Sequence, residues 1–422
     1  MTKVLHIADT HLGYRLRTDF RKDWFKFGEI RWYENDFYER WMKFINFCIK
    51  NKDNIDFVVH SGDFFHLPFG GSPYPPPEPA REYAVKGLNL FFNQTDSKIP
   101  FILIDGNHGV YQGYRYSLLD SITPNFSELY YFSIWYLKKA INDNKPLVCE
   151  FSEKQIRFYL FPYFEYTHTE DLKIAYNNWI ESQKPKDDMI SIAVVHGSKI
   201  DDTLHVKISE FNYDYVALGH EHNQNNLTNK IWYAGSFVPL HFNEVDFEHG
   251  FLEVDLEKGK SPIVKEHTFK SLRDFKQFKI KIGPTSTTQS IINSIKDIIE
   301  PFKVSKWDGK TASRLKIDFI GNIELKSFWG LNDELNNFKI KVLNEGNYNL
   351  LQLILNWKTL DKELGDNLTP EIIEDYILKN PKGEYLDYLK GKIKGSEGYD
   401  MELLADIALS TLENSLKKME EE

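Results

Sequence analysis

Short apolar runs separated by polar segments recur through the first 260 residues of the chain. Their length and their β-branched and aromatic content predict strands at VLHIA (4–8), DFVVH (56–60), FILI (101–104), RFYLF (157–161), SIAVV (191–195), YVAL (215–218), IWYA (231–234) and FLEVDL (251–256). Longer segments of helical periodicity lie between several of them, including 36–50 and 81–93. This alternation predicts a layered α/β architecture, and the close spacing of the later strands predicts a sheet that is partly mixed or antiparallel.

The pattern changes after about residue 270. FKQFKIKIG (275–283) and ASRLKIDFIG (312–321) alternate like half-exposed strands, the segment between them is helical in character, and FKIKVLNEG and LLQLILNW follow. These features predict a first domain over residues 1–270, a small α+β domain over 271–358 and a helical region over 359–422.

Composition restricts the class of protein. The chain has 422 residues, and 62 acidic against 52 basic residues give a net charge of −10, which argues against a generally cationic protein that coats nucleic acid. Local basic patches and bound cations remain compatible with this charge. Because Cys48 and Cys149 are the only cysteines, we expect a reduced, intracellular setting without disulfides or a thiolate zinc site. The N-terminus lacks a signal-peptide core and no apolar run reaches the ~18 residues that span a bilayer, so we expect a soluble protein.

Candidate chemistry lies just beyond the predicted strands. Five short polar motifs (DTH, GD, GNH, HG and GHEH) each follow one of them. Polar residues beyond the carboxyl ends of successive strands in an α/β sheet converge on one crevice, so we expect these side chains to meet. They comprise seven oxygen and nitrogen donors, namely Asp9, His11, Asp63, Asn107, His196, His220 and His222.

Seven donors are too many for one tetrahedral zinc ion but suit two cations that share a bridging carboxylate. Two metal ions ~3.5–4 Å apart can hold a phosphate, generate hydroxide at neutral pH and stabilise both the attacking and the leaving oxygen. Imidazole, carboxylate and amide donors without thiolate suit Mn, Fe or Zn. Each motif alone is as typical of a hydrogen-bonded turn, whereas all five in this order predict a two-metal centre. We expect ordinary packing or surface roles for the histidines in no motif.

In this order, D-x-H, GD, GNH, HG and GHxH resemble the signature of the calcineurin-like metallophosphoesterases. HLGYR (11–15), SGDFFH (61–66) and AGSF (234–237) extend the resemblance to the meiotic-recombination-eleven / SbcD nuclease family. The similarity covers residues 1 to about 256. It implies an α/β fold in which a layered β-sandwich is flanked by helices, with a small α+β capping domain and a helical C-terminal tail.

The resemblance also implies roles for single residues. One metal ion would be held by Asp9, His11, Asp63 and His222, and the other by Asp63, Asn107, His196 and His220. Two Mn ions are expected, with Fe, Zn or Mg as alternatives. His108 would act beside the leaving group as a general acid or transition-state stabiliser, and His66 would contact the scissile phosphate or position the strand.

The sequence departs from the family pattern after GNH, where Gly109 stands in place of the usual Asp. A carboxylate there would orient His108 and raise its basicity. General acid–base assistance is typically worth ~10²–10⁴-fold, so the loss of the orienting group alone should cost a part of that. Asp105 could substitute for the missing acid or could point elsewhere. The metals need nothing from position 109, so we expect an active hydrolase with some attenuation.

Two segments suggest partners. In YRLRTDFRKDWFKF (14–27), basic residues interleave with aromatic ones beside the first ligands, which fits either a strip that contacts the DNA backbone or a solvated loop; the DNA-contact candidates are Arg15, Arg17, Arg21 and Lys22. Two apolar stripes in the region 359–422 need a covering surface, because short helices are marginal alone. That surface is either the stripes' own domain or, by resemblance, the coiled-coil base of an SbcC-type ABC ATPase. The resemblance further implies a homodimer built from helices near 81–93 and 114–140, and no membrane association is expected.

Three functional hypotheses follow. The first is a Mn-dependent DNA exonuclease and endonuclease, the nuclease subunit of a double-strand-break repair complex with the ATPase. The second is a phosphoesterase of another substrate, such as a nucleotide or phosphoprotein; HLGYR, His66 and the C-terminal extensions argue against it. The third is a non-catalytic scaffold for the ATPase, motivated only by Gly109.

Overall fold

A computed structural model describes residues 1–16, 30–67, 75–108, 117–186, 188–283, 285–357 and 360–363. The chain forms two compact units. The first comprises residues 1–279, 293–318 and 337–356, and the second comprises the described parts of 280–292, 319–336 and the chain from 357 onward.

Strands and helices alternate through most of the chain, as the sequence pattern predicts. The strands are β1 (Thr2–Ile7), β2 (Phe57–His60), β3 (Phe101–Ile104), β4 (Leu129–Phe132), β5 (Val148–Phe151), β6 (Ile156–Phe161), β7 (Ile190–His196), β8 (Tyr215–Gly219), β9 (Asn225–Thr228), β10 (Ile231–Tyr233), β11 (Gly250–Leu256), β12 (Ile263–Thr268), β13 (Phe275–Ile282), β14 (Ser313–Glu324), β15 (Leu350–Asn356) and β16 (Leu360–Glu363). The helices are α1 (Trp32–Lys50), α2 (Glu78–Gln94), α3 (Leu118–Ile122), α4 (Ile134–Asp143), α5 (Glu170–Ile180), α6 (Val206–Glu210), α7 (Thr288–Ile299) and α8 (Leu325–Asn344).

Two six-stranded sheets build the first unit. One has the order β12-β11-β1-β2-β3-β4 and the other β5-β6-β7-β8-β10-β9. The strands from β1 to β4 run parallel, as do β6, β7, β8 and β10. Antiparallel partners flank these parallel runs: β11 and β12 in the first sheet, β5 and β9 in the second. The predicted partly antiparallel character is therefore confirmed.

The core lies on both faces of the first sheet, because side chains alternate along each strand. In β2, Val58 packs into the cluster that contains α1 and α2, whereas Phe57 and Val59 pack into the cluster shared with the second sheet. The ring of Phe57 lies 5.2 Å from that of Phe158 in β6. Residues of α4 and α5 also belong to this second cluster. Two sheets with helices on their outer faces result, which confirms the predicted fold class.

Helix α1 begins where Glu34 accepts a hydrogen bond from the backbone N–H of Arg31, at 3.2 Å. Its contact with α2 depends on Gly87, because a Cβ at that position would lie 2.1 Å from Nε1 of Trp41. The indole N–H of Trp41 donates to the carbonyl of Tyr83 at 3.1 Å. A side chain at position 87 would therefore force the two helices apart.

A smaller sheet has the order β13-β14-β15, and β16 also pairs with β14. Within the first unit, residues 313–318 of β14 run parallel to β15. Within the second, residues 321–324 pair in parallel with β16. The prediction of helical structure from residue 359 onward is wrong for residues 360–363, which form strand β16 and pair with residues 321–324 of β14. The two apolar stripes lie outside the described residues.

No helix in the described part of the chain combines the length and the apolar character that crossing a bilayer requires.

Candidate metal centre

The five polar motifs lie at the ends of strands of the two sheets. Asp9 and His11 follow β1, Asp63 follows β2, and Asn107 follows β3. In the second sheet His196 ends β7, and His220 and His222 follow β8. All of these positions belong to the first unit.

The backbone at this rim adopts an uncommon conformation. Asp9, His11, Asp63 and His220 have φ angles of 48°, 43°, 55° and 94°, in the left-handed region that side chains other than glycine rarely adopt. Hydrogen bonds hold two of these turns: the N–H of Asp9 donates to the carbonyl of Gly62, and that of His11 to the carbonyl of Asp63, each at 3.0 Å. Such strain costs roughly 1–3 kcal/mol per residue and is concentrated at functional sites.

Two glycines of the motifs make room for the donors. A Cβ on Gly62 would lie 2.2 Å from Nδ1 of His196, and one on Gly106 would lie 2.1 Å from Oδ1 of Asp63. The glycines of GD and GNH are therefore required because two strand ends meet there without space for a side chain.

Asp63 occupies the middle of the cluster. Its Oδ2 atom lies 3.8 Å from Nε2 of His11 and 3.5 Å from Nε2 of His196, while Oδ1 accepts the backbone N–H of His108 at 2.8 Å. Two groups of possible metal ligands share Asp9, and within each group the donor atoms lie within 4.8 Å of one another; they are Asp9, His11 and His222, and Asp9, Asp63 and His196. One carboxylate oxygen of Asp63 thus faces imidazoles from both sheets.

Asn107 and His220 complete the set. The Oδ1 atom of Asn107 lies 2.9 Å from Nε2 of His196 and 3.2 Å from Nδ1 of His220. The structure therefore brings all seven predicted donors to one place.

A second layer of acceptors orients the imidazoles. Nδ1 of His196 donates to the carbonyl of Ser61 at 2.8 Å, and Nε2 of His220 donates to Asp201 at 2.8 Å. Nδ1 of His222 pairs with Oε1 of Glu244 at 3.1 Å. Each contact places a proton on the outer nitrogen and turns the other nitrogen toward the centre. Sequence reasoning missed Asp201 and Glu244, because both stand in loops without a strand-end motif.

Burial controls the charge of the cluster. It lowers the pKa of His196 to about 4 and holds the pKa of His11 well below its usual range, so both rings are neutral at pH 7 and present a lone pair. Burial also opposes charge on His222, but the hydrogen bond and the charge of Glu244 raise its pKa to about 9. Burial raises the pKa of Asp9 well above its ordinary value. The neutral rings of His11 and His196 thus present lone pairs, and a set of oxygen and imidazole ligands of this kind fits divalent cations.

His108 is held without a carboxylate in the described part of the chain. Its Nδ1 donates to the backbone carbonyl of Leu67 at 3.1 Å, and its ring stacks on that of His66 with the centroids 4.6 Å apart. Burial lowers the pKa of His66 to about 3, which keeps that ring neutral. Gly109 lies outside the described residues. The orienting role that the usual acid would have is therefore filled by a main-chain oxygen.

Asp105 does not substitute for that acid. Its carboxylate accepts the hydroxyl of Tyr131 at 2.6 Å and the backbone N–H of Ile134, at the start of α4, at 3.1 Å. Burial raises the pKa of Asp105 to about 7. Of the two alternatives for Asp105, the structure supports the one in which it points elsewhere.

Only one of the candidate DNA-contact residues is described. The guanidinium of Arg15 donates twice to the buried carboxylate of Glu34, at 2.6 and 3.1 Å, and Glu34 also accepts the hydroxyl of Tyr38 at 2.6 Å. Arg15 thus already has an ion-pair partner. Arg17, Arg21 and Lys22 lie outside the described residues, so the basic strip stays a prediction.

Comparison with known proteins identifies relatives of the chain. It is 25% identical over 234 residues to the DNA double-strand break repair protein Mre11 of Saccharolobus solfataricus, which covers 54% of this chain and 51% of that protein. Mre11 of Thermoplasma acidophilum is 24% identical over 339 residues, covering 76% and 78% of the two chains. The SbcD component of the nuclease SbcCD of Staphylococcus epidermidis is 24% identical over 310 residues, covering 67% and 72%. The chain thus spans about half the length of the first of these relatives.

The sequence model of calcineurin-like phosphoesterases matches residues 2–224, more than half of the chain. This region contains all five polar motifs and every one of the seven donors. The chain therefore belongs to the calcineurin-like phosphoesterase family, whose members use a dinuclear metal site.

Proposed function

We propose that the protein is a metal-dependent DNA nuclease, with exonuclease and endonuclease activity on phosphodiester bonds, that acts in double-strand-break repair. The names of the relatives support DNA as the substrate. The position of Asp63 carries the hydrolytic part of the proposal, because its Oδ2 atom lies 3.8 Å from one imidazole nitrogen and 3.5 Å from another. A carboxylate in this position could be shared by two cations, each held by imidazoles from one side.

The proposed ligands divide into two sets. Asp9, His11, Asp63 and His222 would hold one ion and Asp63, Asn107, His196 and His220 the other. We propose Mn as the ion, with Fe, Zn or Mg as alternatives, because the set contains no thiolate. Bound cations supply positive charge to a phosphodiester and lower the pKa of water toward neutrality.

His108 is the proposed proton carrier. Because its Nδ1 atom donates to the carbonyl of Leu67, Nε2 is the nitrogen left to exchange a proton with the leaving oxygen. The stacked ring of His66 restricts the rotation of His108 and presents a second imidazole to the phosphate or to the strand. Both rings are close to His11, with centroid distances of 5.0 Å for His66 and 5.2 Å for His108.

The wider assembly belongs to the same proposal. One relative carries the name of the nuclease SbcCD, of which it is one component, so that protein is part of a complex. We propose that this chain likewise works inside the cell with an SbcC-type ABC ATPase and forms a homodimer through the helices near 81–93 and 114–140.

A nuclease assay tests the proposal. Purified protein is incubated with linear single-stranded, circular single-stranded and linear double-stranded DNA, with and without Mn. We expect cleavage only with Mn, and its loss in Asp63→Asn. Cleavage of circular single strands reports endonuclease activity, because a circle has no end. His168→Ala is the matched control, since His168 is exposed and belongs to no motif.

Two results would contradict the proposal. Hydrolysis of small phosphodiesters without cleavage of any DNA would favour a phosphoesterase of another substrate. A folded protein that binds two Mn ions and hydrolyses neither class would favour a scaffold for the ATPase.

A further inference from the structure

Glu244 connects the metal centre to a neighbouring loop. Its Oε1 atom pairs with Nδ1 of His222 at 3.1 Å, and its Oε2 atom accepts the backbone N–H of Leu240 at 2.7 Å. Its backbone carbonyl accepts Nε2 of His249 at 2.9 Å. Glu244 is only 5% exposed, so water does not compete for these contacts. Both carboxylate oxygens and the main chain of Glu244 are thus held by the protein.

Leu240 is in turn held from two directions. Its carbonyl accepts Nη1 of Arg314 at 3.3 Å and the hydroxyl of Tyr14 at 3.2 Å. The adjacent carbonyl, that of Pro239, accepts the hydroxyl of Tyr33. The segment 239–244 is therefore a short connector whose one end touches His222 and whose other end touches β14.

Arg314 is fixed at the β14 end. It is 2% exposed, and its Nε atom donates to Gln352 of β15 at 2.8 Å. Its guanidinium lies 4.3 Å from the ring centre of Tyr33, 4.7 Å from that of Phe275 and 5.1 Å from that of Phe242. A buried cation enclosed by aromatic rings and hydrogen-bonded through both Nε and Nη1 has little freedom to move.

We propose that Glu244 is a positioning residue that sets the tautomer and ring angle of His222, and that Arg314 of β14 holds Glu244 in place through Leu240. The affinity of one metal site then depends on the small sheet as well as on the strand ends. A carboxylate that accepts from the outer nitrogen of an imidazole holds the ring so that its inner nitrogen is aimed at the ion. The inference rests on the proposed two-cation site.

Glu244→Gln tests the first step. The amide retains the size of the carboxylate, but one of its two polar atoms becomes a donor. If its oxygen accepts the N–H of Leu240, its NH₂ group faces His222 and favours the tautomer with the proton on Nε2. We expect one of the two Mn sites to weaken about 10–100-fold, as removal of such a partner typically does. Calorimetric titration of the whole metal-free chain measures this without any assay of activity.

A second Glu–His pair supplies the control. Glu253 on β11 accepts Nε2 of His267 on β12 at 2.8 Å, away from the strand ends that carry the donors. Glu253→Gln should leave both Mn affinities unchanged. The melting temperature of each metal-free variant shows whether it is folded.

Arg314→Lys tests the second step. Lysine retains the charge but lacks the fork that reaches both Gln352 and Leu240, so the same Mn site should weaken by less than in Glu244→Gln, about tenfold or less. Arg273→Lys is its control, because Arg273 is a buried arginine that bonds Asp36 and the carbonyls of Gly309 and Ala312 instead of Leu240. It should lower the melting temperature and leave the Mn affinity unchanged.

The outcomes separate the two claims. Two Mn sites of wild-type affinity in a folded Glu244→Gln protein overturn the positioning role of Glu244. Wild-type Mn affinity in Arg314→Lys overturns the proposed role of Arg314. If Glu244→Gln does not fold, Arg314→Lys tests the proposal alone. Weakened Mn binding in Arg314→Lys then supports the connector. Fewer than two Mn ions on the wild-type protein contradict the proposed function itself.

Discussion

The two ends of the strand pair β7 and β8 carry buried polar groups with opposite properties. At the beginning of the pair, Asp214 accepts the backbone N–H of Ser191 at 2.8 Å and its hydroxyl at 3.0 Å. The backbone N–H of Gly259 and the ammonium of Lys258 complete its environment, at 3.0 and 3.1 Å. Every partner of this carboxylate is a donor, so the protein itself satisfies its charge.

At the other end of the same strands, His196 and His220 lie beside Asp63 and Asn107. Hydrogen-bond acceptors of these side chains face one another. Asp63 receives the N–H of His108 on one oxygen, while its second oxygen faces imidazole nitrogens at 3.5 and 3.8 Å. Such a group is costly to bury unless a cation joins it. Burial alone therefore does not distinguish a structural carboxylate from a functional one; the balance of donors and acceptors around it does.

The largest expected effect separates the two carboxylates directly. Asp63→Asn should abolish high-affinity Mn binding and reduce the rate of DNA hydrolysis more than about 10⁴-fold, because the charge that we propose to bridge the two ions would be lost, and with it several kcal/mol of stabilisation. Single-turnover kinetics measure the rate of DNA hydrolysis, and elemental analysis of the same protein counts the bound Mn ions. An Asp63→Asn protein that retains both ions would contradict the bridging role.

His108→Ala should separate chemistry from metal binding at the same rim. The rate should fall about 10²–10⁴-fold, the usual value of general acid–base assistance, while both Mn ions stay bound. His108 contributes its backbone N–H to Asp63, and alanine retains that group. A variant that loses Mn as well would assign His108 to the ligand set.

Asp214→Asn should have the opposite signature to Asp63→Asn. The free energy of unfolding should fall by about 1–3 kcal/mol, because an amide replaces a carboxylate among four donors. The nuclease rate of the folded protein should be unchanged. Urea denaturation and the DNA assay on the same sample check both expectations. A loss of activity in a fully folded Asp214→Asn protein would mean that this end of the strands also serves the site.

Acidic pH should remove the stabilisation of the fold that Asp214 provides. Burial would raise its pKa, but the hydrogen bonds from Ser191 and Gly259 and the Lys258 ammonium hold the pKa of Asp214 below its ordinary value. A carboxyl whose folded pKa is depressed stabilises the fold above its unfolded pKa, about 3.9, and loses that effect as the pH falls through the folded value. The difference in unfolding free energy between wild type and Asp214→Asn should therefore shrink below about pH 4. A difference that is constant down to about pH 2 would contradict this.

Gly109→Asp should have the smallest effect. The carbonyl of Leu67 already accepts Nδ1 of His108, so a new carboxylate has no vacant orienting role to fill. Mn binding should be intact and the rate preserved or raised by less than about tenfold, or about 1.4 kcal/mol. A larger gain in multiple-turnover assays would show that the Leu67 contact orients His108 poorly.

Much of the fold and the site follows from local patterns. The apolar run FILI predicts β3 with its bounds, Phe101–Ile104. Asp9, Asp63 and His196 could be predicted to meet because each follows or ends a strand, and strands of neighbouring sheets end at one rim. The hydrogen-bond partners that orient the imidazoles could not be predicted from the sequence. Asp201 and Glu244 approach the rim through loops, and the carbonyls of Ser61 and Leu67 belong to main chain that any residue type would supply.

One tetrapeptide marks the limit of local reasoning. Phe-Lys-Ile-Lys occurs twice, at 278–281 and at 338–341. The first copy lies in strand β13 and the second in helix α8. Intrinsic preferences differ by less than about 1 kcal/mol per residue, so the neighbours against which the apolar side chains pack determine which conformation wins. The order of motifs along the chain was enough to predict that the seven proposed metal donors lie together. The secondary structure of this repeated segment and the acceptors that orient the histidines depend instead on long-range packing that no local pattern encodes.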